Sequence, residues 1–300
     1  MSQNSWSNYW KGREGASTGA LTGVESDQEL QAFWADALKD GAQDQPLLDL
    51  ACGAGTVLKQ AASLGYRDLT GLDYSAEAIA VLKTDMPGIK TVTASAAETG
   101  LATGEYATIV SQFGLEYAGA EAAFTEAARL CAPGGEIITI MHMAGGGIEA
   151  EVKNHAAHCQ SIFESTYIPS ARAFFEAAYA NDTKAGEIAA KAMTQARDRL
   201  TKIIVPDEHS LAAHLMAGTT ELWNKRANYA LKDVLGWLDG MQDEVEAYHT
   251  RMTAMLDAAL DEAEVATCAG LLRENGFRVD TARLSLSGQP AAWRLNAKRT

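Results

Sequence analysis

Between Leu47 and Leu58 the chain reads LLDLACGAGTVL: a short apolar run, a carboxylate at Asp49, small residues from Ala51 to Gly55, then helical spacing. A strand that ends in a glycine turn and opens a helix is the first unit of a parallel α/β sheet. A parallel neighbour needs a crossover, and the helix supplies it. Gly53 and Gly55 have no Cβ, so backbone can approach a ligand closely at this turn.

The pattern repeats down the chain. Strands are expected at 47–51, 68–75, 90–96, 106–113 and 136–143, alternating with helices at 57–65, 76–85 and 121–135, the last stopped by Pro133-Gly134-Gly135. Ahead of them, DQELQAFWADAL (27–38) has apolar Leu30, Phe33 and Leu38 at helical spacing, with Asp27 as N-cap. At the far end, 264–286 reads as a helix, a stop at Gly276 and a strand, and 291–299 as a last strand. The link SGQP is too short for a crossover, so these two strands are expected to be antiparallel. Between Gly145 and about Ala263 no strand is evident. Leu215, Leu222, Tyr229, Val234, Trp237 and Met241 fall at helical spacing. The expected organisation is an N-terminal arm and helix (1–45), a catalytic domain (46–145 with 264–300) and an all-helical insertion after strand five (146–263).

Charge and cysteine usage narrow the function. Acidic residues outnumber basic ones 39 to 25, a net charge of −14, which disfavours nucleic acid and anionic membrane as partners. Cys52, Cys131, Cys159 and Cys268 show no zinc spacing and read as reduced thiols of a cytoplasmic protein. No metal site is expected. The N-terminus lacks an apolar targeting run, and no long uncharged apolar span follows.

In an open α/β sheet the ligand lies outside the carboxyl ends of the strands. Asp73, 18 residues beyond Gly55, closes strand two, where a carboxylate accepts hydrogen bonds from ribose hydroxyls. A dinucleotide turn of the form G-x-G-x-x-G, counted from Gly53, fails at Leu58 and leaves Asp49 without a reason. An adenosyl cofactor with a cationic amino-acid tail fits better: Asp49 and the Gly53/Gly55 backbone face the tail, and Asp73 the ribose.

At these residues the chain resembles the class I S-adenosylmethionine-dependent methyltransferases, whose sheet is Rossmann-like, seven-stranded and closed by an antiparallel strand. LLDLACGAG, GLDYS, ASAAET, IVSQFGLEY and AARLCAPGGEIITIMH follow in the family's order. The resemblance implies S-adenosyl-L-methionine as cofactor and S-adenosyl-L-homocysteine as product. It places Ala51 where many members have the first glycine, and Tyr74 beside the ribose acid. Ser95 stands where many have an aspartate, so Ser95, Ala96 and Glu98 are expected to border the adenine, and Gln112 and Phe113 the methionine part. Tyr9, Trp10 and Arg13 of the arm are expected to cover the cofactor, with simple packing of the arm as the alternative. No acid cluster follows strand four or five, which argues against a magnesium-dependent catechol-type site.

Methyl transfer needs alignment and exclusion of water, and a base only where the acceptor must lose a proton. His142, Glu116 and Tyr117 are the expected catalytic group. His155 and Tyr167 open the insertion and are expected to contact substrate, with a polar helix face as the alternative, and the insertion is expected to act as a lid that selects the acceptor and makes a homodimer contact. The reading is methyl transfer to an amino-acid-like small molecule on nitrogen or sulfur, methionine S-methylation included. O-methylation of a hydroxylated metabolite, a non-catalytic cofactor-binding protein and, more weakly, a dehydrogenase are the rivals.

Overall fold

The computed structural model describes residues 23–204 and 210–300, with backbone alone for 23–25 and 203–204. In chain order the regular elements are α1 (Gly23–Leu38), β1 (Leu47–Leu50), α2 (Thr56–Ser63), β2 (Leu69–Asp73), α3 (Ala76–Asp85), β3 (Lys90–Thr93), β4 (Tyr106–Gln112), α4 (Ala120–Leu130), β5 (Cys131–His142), α5 (Gly147–Ser165), α6 (Tyr167–Ala180), α7 (Thr183–Ile204), α8 (Leu211–Asn224), α9 (Leu231–Ala258), α10 (Glu262–Glu274), β6 (Phe277–Leu286) and β7 (Gln289–Arg299). Two compact units result. One ends at Val152 and resumes at Ala254; the other is Lys153–Thr253.

The first unit is built on a seven-stranded sheet in the order β3-β2-β1-β4-β5-β7-β6. Strands β1 to β5 pair in parallel, and β7 runs antiparallel to both β5 and β6. Every residue of β1 and β2 is buried, as central parallel strands covered on both faces must be. Leu48, Leu50, Ile109, Phe124, Ile137, Leu272 and Leu295 meet in the core of this unit.

The antiparallel pair has the expected sense but a tighter turn. Only Ser287 and Gly288 separate β6 from β7, both at positive φ (50° and 77°), the combination whose twist matches a two-residue hairpin. The Ser287 N–H donates to Glu29 at 2.7 Å, and its hydroxyl meets that of Ser26 at 3.0 Å. These contacts tie α1 to the hairpin, and the helix starts at Gly23 rather than after Asp27. A second correction concerns α4, which ends at Leu130 and not at the Pro-Gly-Gly stop. Ala132 precedes Pro133 and is disfavoured in a helix. Cys131 is already extended and pairs with Tyr106, so β5 begins there.

The second unit is helical throughout its described regular elements. Ile162, Tyr167, Phe175, Leu200, Leu215, Leu238 and Val245 form its apolar core. The Arg199 guanidinium donates twice to the Ser165 carbonyl, at 3.0 and 2.8 Å. It thereby satisfies an end of α5 that would otherwise lack a donor, where the chain turns through Thr166 at φ 57°. No helix among the described residues is long and apolar enough to cross a membrane.

Candidate functional site

Strand register brings the motif residues to one edge of the sheet. Leu50 lies opposite Leu72, Asp73 opposite Thr93, and Gln112 opposite Ile140. Ala51–Gly55, Asp73 with Tyr74, Ser95–Glu98, Gln112–Tyr117 and His142 therefore all follow or close the carboxyl ends of neighbouring strands. The structure thus gathers the sequence-predicted cofactor residues along one rim. Ser95 and Glu98 are exposed there and Ala96 is buried. Tyr9, Trp10 and Arg13 lie outside the described residues.

The glycine turn is shaped by its own carboxylates. Gly53 sits at φ 53° and Gly55 at φ 80°; a Cβ on Gly55 would come within 2.4 Å of Leu82. Asp73 Oδ2 accepts from the Gly53 N–H and Oδ1 from the Ser75 N–H, both at 2.8 Å. Asp73 thus organises the loop, a task the sequence did not reveal. Burial raises its carboxyl above the usual range, against the pull of those backbone donors. Asp49 differs sharply. It is 1% exposed, and neither oxygen accepts a hydrogen bond among the described residues. Burial, and then repulsion from Asp73, pushes its carboxyl well above the ordinary value. A buried carboxylate without a donor is costly, and a cationic ligand group relieves that cost.

Ala51 takes the left-handed conformation (φ 57°) that glycine adopts freely. The residue that admits its methyl is Gly114, where a Cβ would lie 2.5 Å from that of Ala51. Sequence reasoning did not pair these two positions, which are 63 residues apart.

At the ends of β4 and β5 a buried polar cluster forms. His142 Nδ1 lies 2.7 Å from Glu116 Oε1, and the His142 backbone N–H donates to the same oxygen at 2.9 Å. The Glu116 side chain is wholly buried, and its Oε2 has no hydrogen-bond partner among the described residues. The imidazole packs on Phe113 at 4.5 Å between ring centroids and meets Tyr117 edge-on at 5.7 Å. Phe113 holds φ 53°, and non-glycine strain of this kind concentrates at functional sites. Burial raises the Tyr117 hydroxyl well above its ordinary value, with Glu116 and Tyr74 adding to the effect.

Trp34 reaches this rim, and the sequence reading passed over it. Its indole N–H donates to Gln112 Oε1 at 2.6 Å, fixing the amide at the end of β4. Leu30, Trp34 and Leu38 are the buried stripe of α1, and Phe33 lies at its edge; their strict four-residue spacing was the available signal. Trp34→Phe is expected to cost about 1–2 kcal/mol in urea unfolding, the scale of one buried hydrogen bond with some lost ring volume.

Of the two expected substrate contacts in the insertion, His155 is half-buried and meets Tyr248 edge-on. Tyr167 is 2% exposed within the apolar core of the helical unit. It shares that core with Leu215 and Leu238. Among the described residues no group of three or more His, Cys, Asp or Glu is placed to hold a metal ion.

The family profile described as "Methyltransferase domain" matches residues 47–135. No curated protein matches the chain in sequence. Among solved structures, an S-adenosylmethionine-dependent methyltransferase from Mesorhizobium loti is 21% identical over 37% of this chain and 52% of its own, with a TM-score of 0.34. Geranyl diphosphate C-methyltransferase from Streptomyces coelicolor A3(2) is 17% identical over 47% and 65%, with a TM-score of 0.38. A protein from Bordetella parapertussis, described as a possible exported protein, is 12% identical over 100% and 79%, with a TM-score of 0.46. The chain spans about half the length of the first of these. Residues 47–135 are thus similar to a methyltransferase domain, and the strand order with its antiparallel closing strand is the seven-stranded α/β arrangement expected from the sequence.

Proposed function

We propose that this protein transfers a methyl group from S-adenosyl-L-methionine to a small molecule. The observation that carries the reading is Asp49: a buried carboxylate with no donor among the described residues, beside a glycine turn held open by Asp73. The cofactor supplies an electrophilic methyl on a sulfonium and brings an ammonium that matches Asp49. In this reading Asp49 takes the ammonium, the Gly53–Gly55 backbone lies against the amino-acid tail, and Asp73 uses its remaining lone pairs for the ribose. Ser95, Ala96 and Glu98 border the adenine, and Gln112 and Phe113 face the methionine part. The insertion's role in choosing the acceptor rests on its place in the chain, since α5 begins five residues after His142. The acidic balance of the whole chain favours a small, neutral or cationic acceptor over nucleic acid.

Calorimetric titration with S-adenosylhomocysteine and with NAD tests the cofactor assignment. Tight binding of the first and not the second is expected, and the reverse would revive a dehydrogenase. Asp73→Ala is expected to weaken S-adenosylhomocysteine binding at least tenfold, because ribose hydrogen bonds and the anchor of Gly53 are lost together. Unchanged affinity would remove Asp73 from the site. Incubation with methyl-labelled cofactor and a metabolite extract, followed by mass spectrometry, reads the activity; binding without labelled product would make this a cofactor-binding protein without turnover.

A further inference from the structure

We infer that His142 and Glu116 act as a unit, with Glu116 fixing the imidazole so that Nε2 takes a proton from the methyl acceptor, and that the acceptor is therefore a hydroxyl or amine rather than a thioether. This rests on the methyltransferase reading and deepens it. Three observations support it.

The first is direction. Glu116 Oε1 receives both the His142 backbone N–H and ring Nδ1, at 2.9 and 2.7 Å. A carboxylate only accepts, so the short contact places the ring proton on Nδ1 and leaves the lone pair on Nε2. The second is burial. Both side chains are almost inaccessible, at 8% and 0%, and no Lys or Arg ion pair reaches Glu116 among the described residues. An imidazolium formed at His142 is then the charge that balances the carboxylate, which is how a buried acid supports a histidine base. The third is location. The pair closes β5 and the turn after β4, beside the strained Phe113, on the same rim as the glycine turn. An amide or a neutral packing residue would fill this space without charge; a buried acid spent on orienting one imidazole points to proton transfer.

The chemistry balances. A lone pair on the acceptor oxygen or nitrogen forms the bond to the transferred methyl carbon, and the electrons of the broken carbon–sulfur bond remain on sulfur. The acceptor's proton passes to His142 Nε2 and from there to solvent. A thioether acceptor has no proton to lose and would leave the pair without a task.

The tautomer is readable without any acceptor. In histidine-¹⁵N-labelled protein, long-range ¹H–¹⁵N correlation is expected to show His142 protonated on Nδ1 and bare on Nε2, both free and with S-adenosylhomocysteine. Glu116→Gln is expected to shift it towards a mixture. An Nε2–H tautomer, or a spectrum that Glu116→Gln leaves unmoved, would overturn the positioning role. The acceptor class is then tested with methyl-labelled cofactor and three probes: a phenol, a primary amine and methionine. Label is expected on the phenol or the amine. His142→Asn, whose amide can still donate to Glu116, should lower kcat at least 100-fold. Glu116→Gln should lower kcat at least tenfold, with KM and S-adenosylhomocysteine affinity within threefold. The double variant should be no slower than His142→Asn alone. Label on methionine alone, or additive losses in the double variant, would overturn the inference. Absent S-adenosylhomocysteine binding alongside the stated tautomer would instead sink the cofactor reading.

Discussion

Asp49→Asn is expected to stabilise the cofactor-free protein at neutral pH while weakening S-adenosylhomocysteine binding about thirtyfold or more. Both effects have one source. The Asp49 carboxyl is buried without a donor among the described residues and repelled by Asp73, so its folded-state value stands well above 3.8. In the unfolded chain the same carboxyl releases its proton near the ordinary value. As pH rises above that value the unfolded state binds fewer protons than the folded one, and stability falls until the folded value is passed. The full penalty applies above it. An amide removes the charge, and the gain is about 1–3 kcal/mol, the cost of an unsatisfied buried group. The Asn variant should therefore show a flatter fall of Tm between pH 4 and neutrality. Binding moves the other way, because a buried ammonium loses its counter-charge, a loss of about 2–5 kcal/mol when one partner of a buried pair is removed. A variant no more stable at pH 7 than the parent would show that Asp49 is already satisfied, and unchanged affinity would show that it faces no cation.

Gly114→Ala is expected to destabilise the protein by about 2–3 kcal/mol, and Ala51→Gly to restore more than half of that loss. Gly114 has φ −140°, a value open to any residue, so backbone strain is not the cause. The new Cβ would stand 2.5 Å from the Ala51 Cβ, with the Ser111 hydroxyl at 3.1 Å and the Ala51 carbonyl at 3.2 Å. Neither partner is the end of a flexible chain. Removing the Ala51 methyl deletes the worst of these contacts and frees a left-handed position that disfavours alanine by about 1–2 kcal/mol. Urea unfolding of the four proteins of this cycle gives the coupling. Losses that simply add would mean the loop moves aside, and the close approach of the first motif to β4 would not be a fixed feature of the site.

Much of this arrangement was legible in the sequence, for reasons visible in particular residues. Glycines at 53 and 55, an acid within the first strand and another at the end of the second, and alternating apolar runs define a parallel sheet and its ligand edge locally. The short SGQP link set the sense of the antiparallel closing pair. What escaped depends on which way side chains point. Glu116 and His142 stand 26 residues apart on neighbouring strand ends, and only the β4–β5 register makes them touch. Asp73 was read as a ligand residue, and its bond to Gly53 needed the turn in three dimensions. Trp34 was missed because Phe33 also satisfies helical spacing. Ala51 was noted as a departure, but its compensation at Gly114 lies in a distant segment.

The hairpin sets a timetable. His142 of β5 pairs with Ala292 of β7, 150 residues further along the chain. At about 5–20 residues per second on the ribosome, the apolar margin of β5 waits roughly 7–30 seconds for its neighbour. Residues 153–253 emerge in that interval. The sheet is thus completed only after residues 153–253 have been made, and chains truncated before Gln289 should be captured by chaperones through the bare margin of β5.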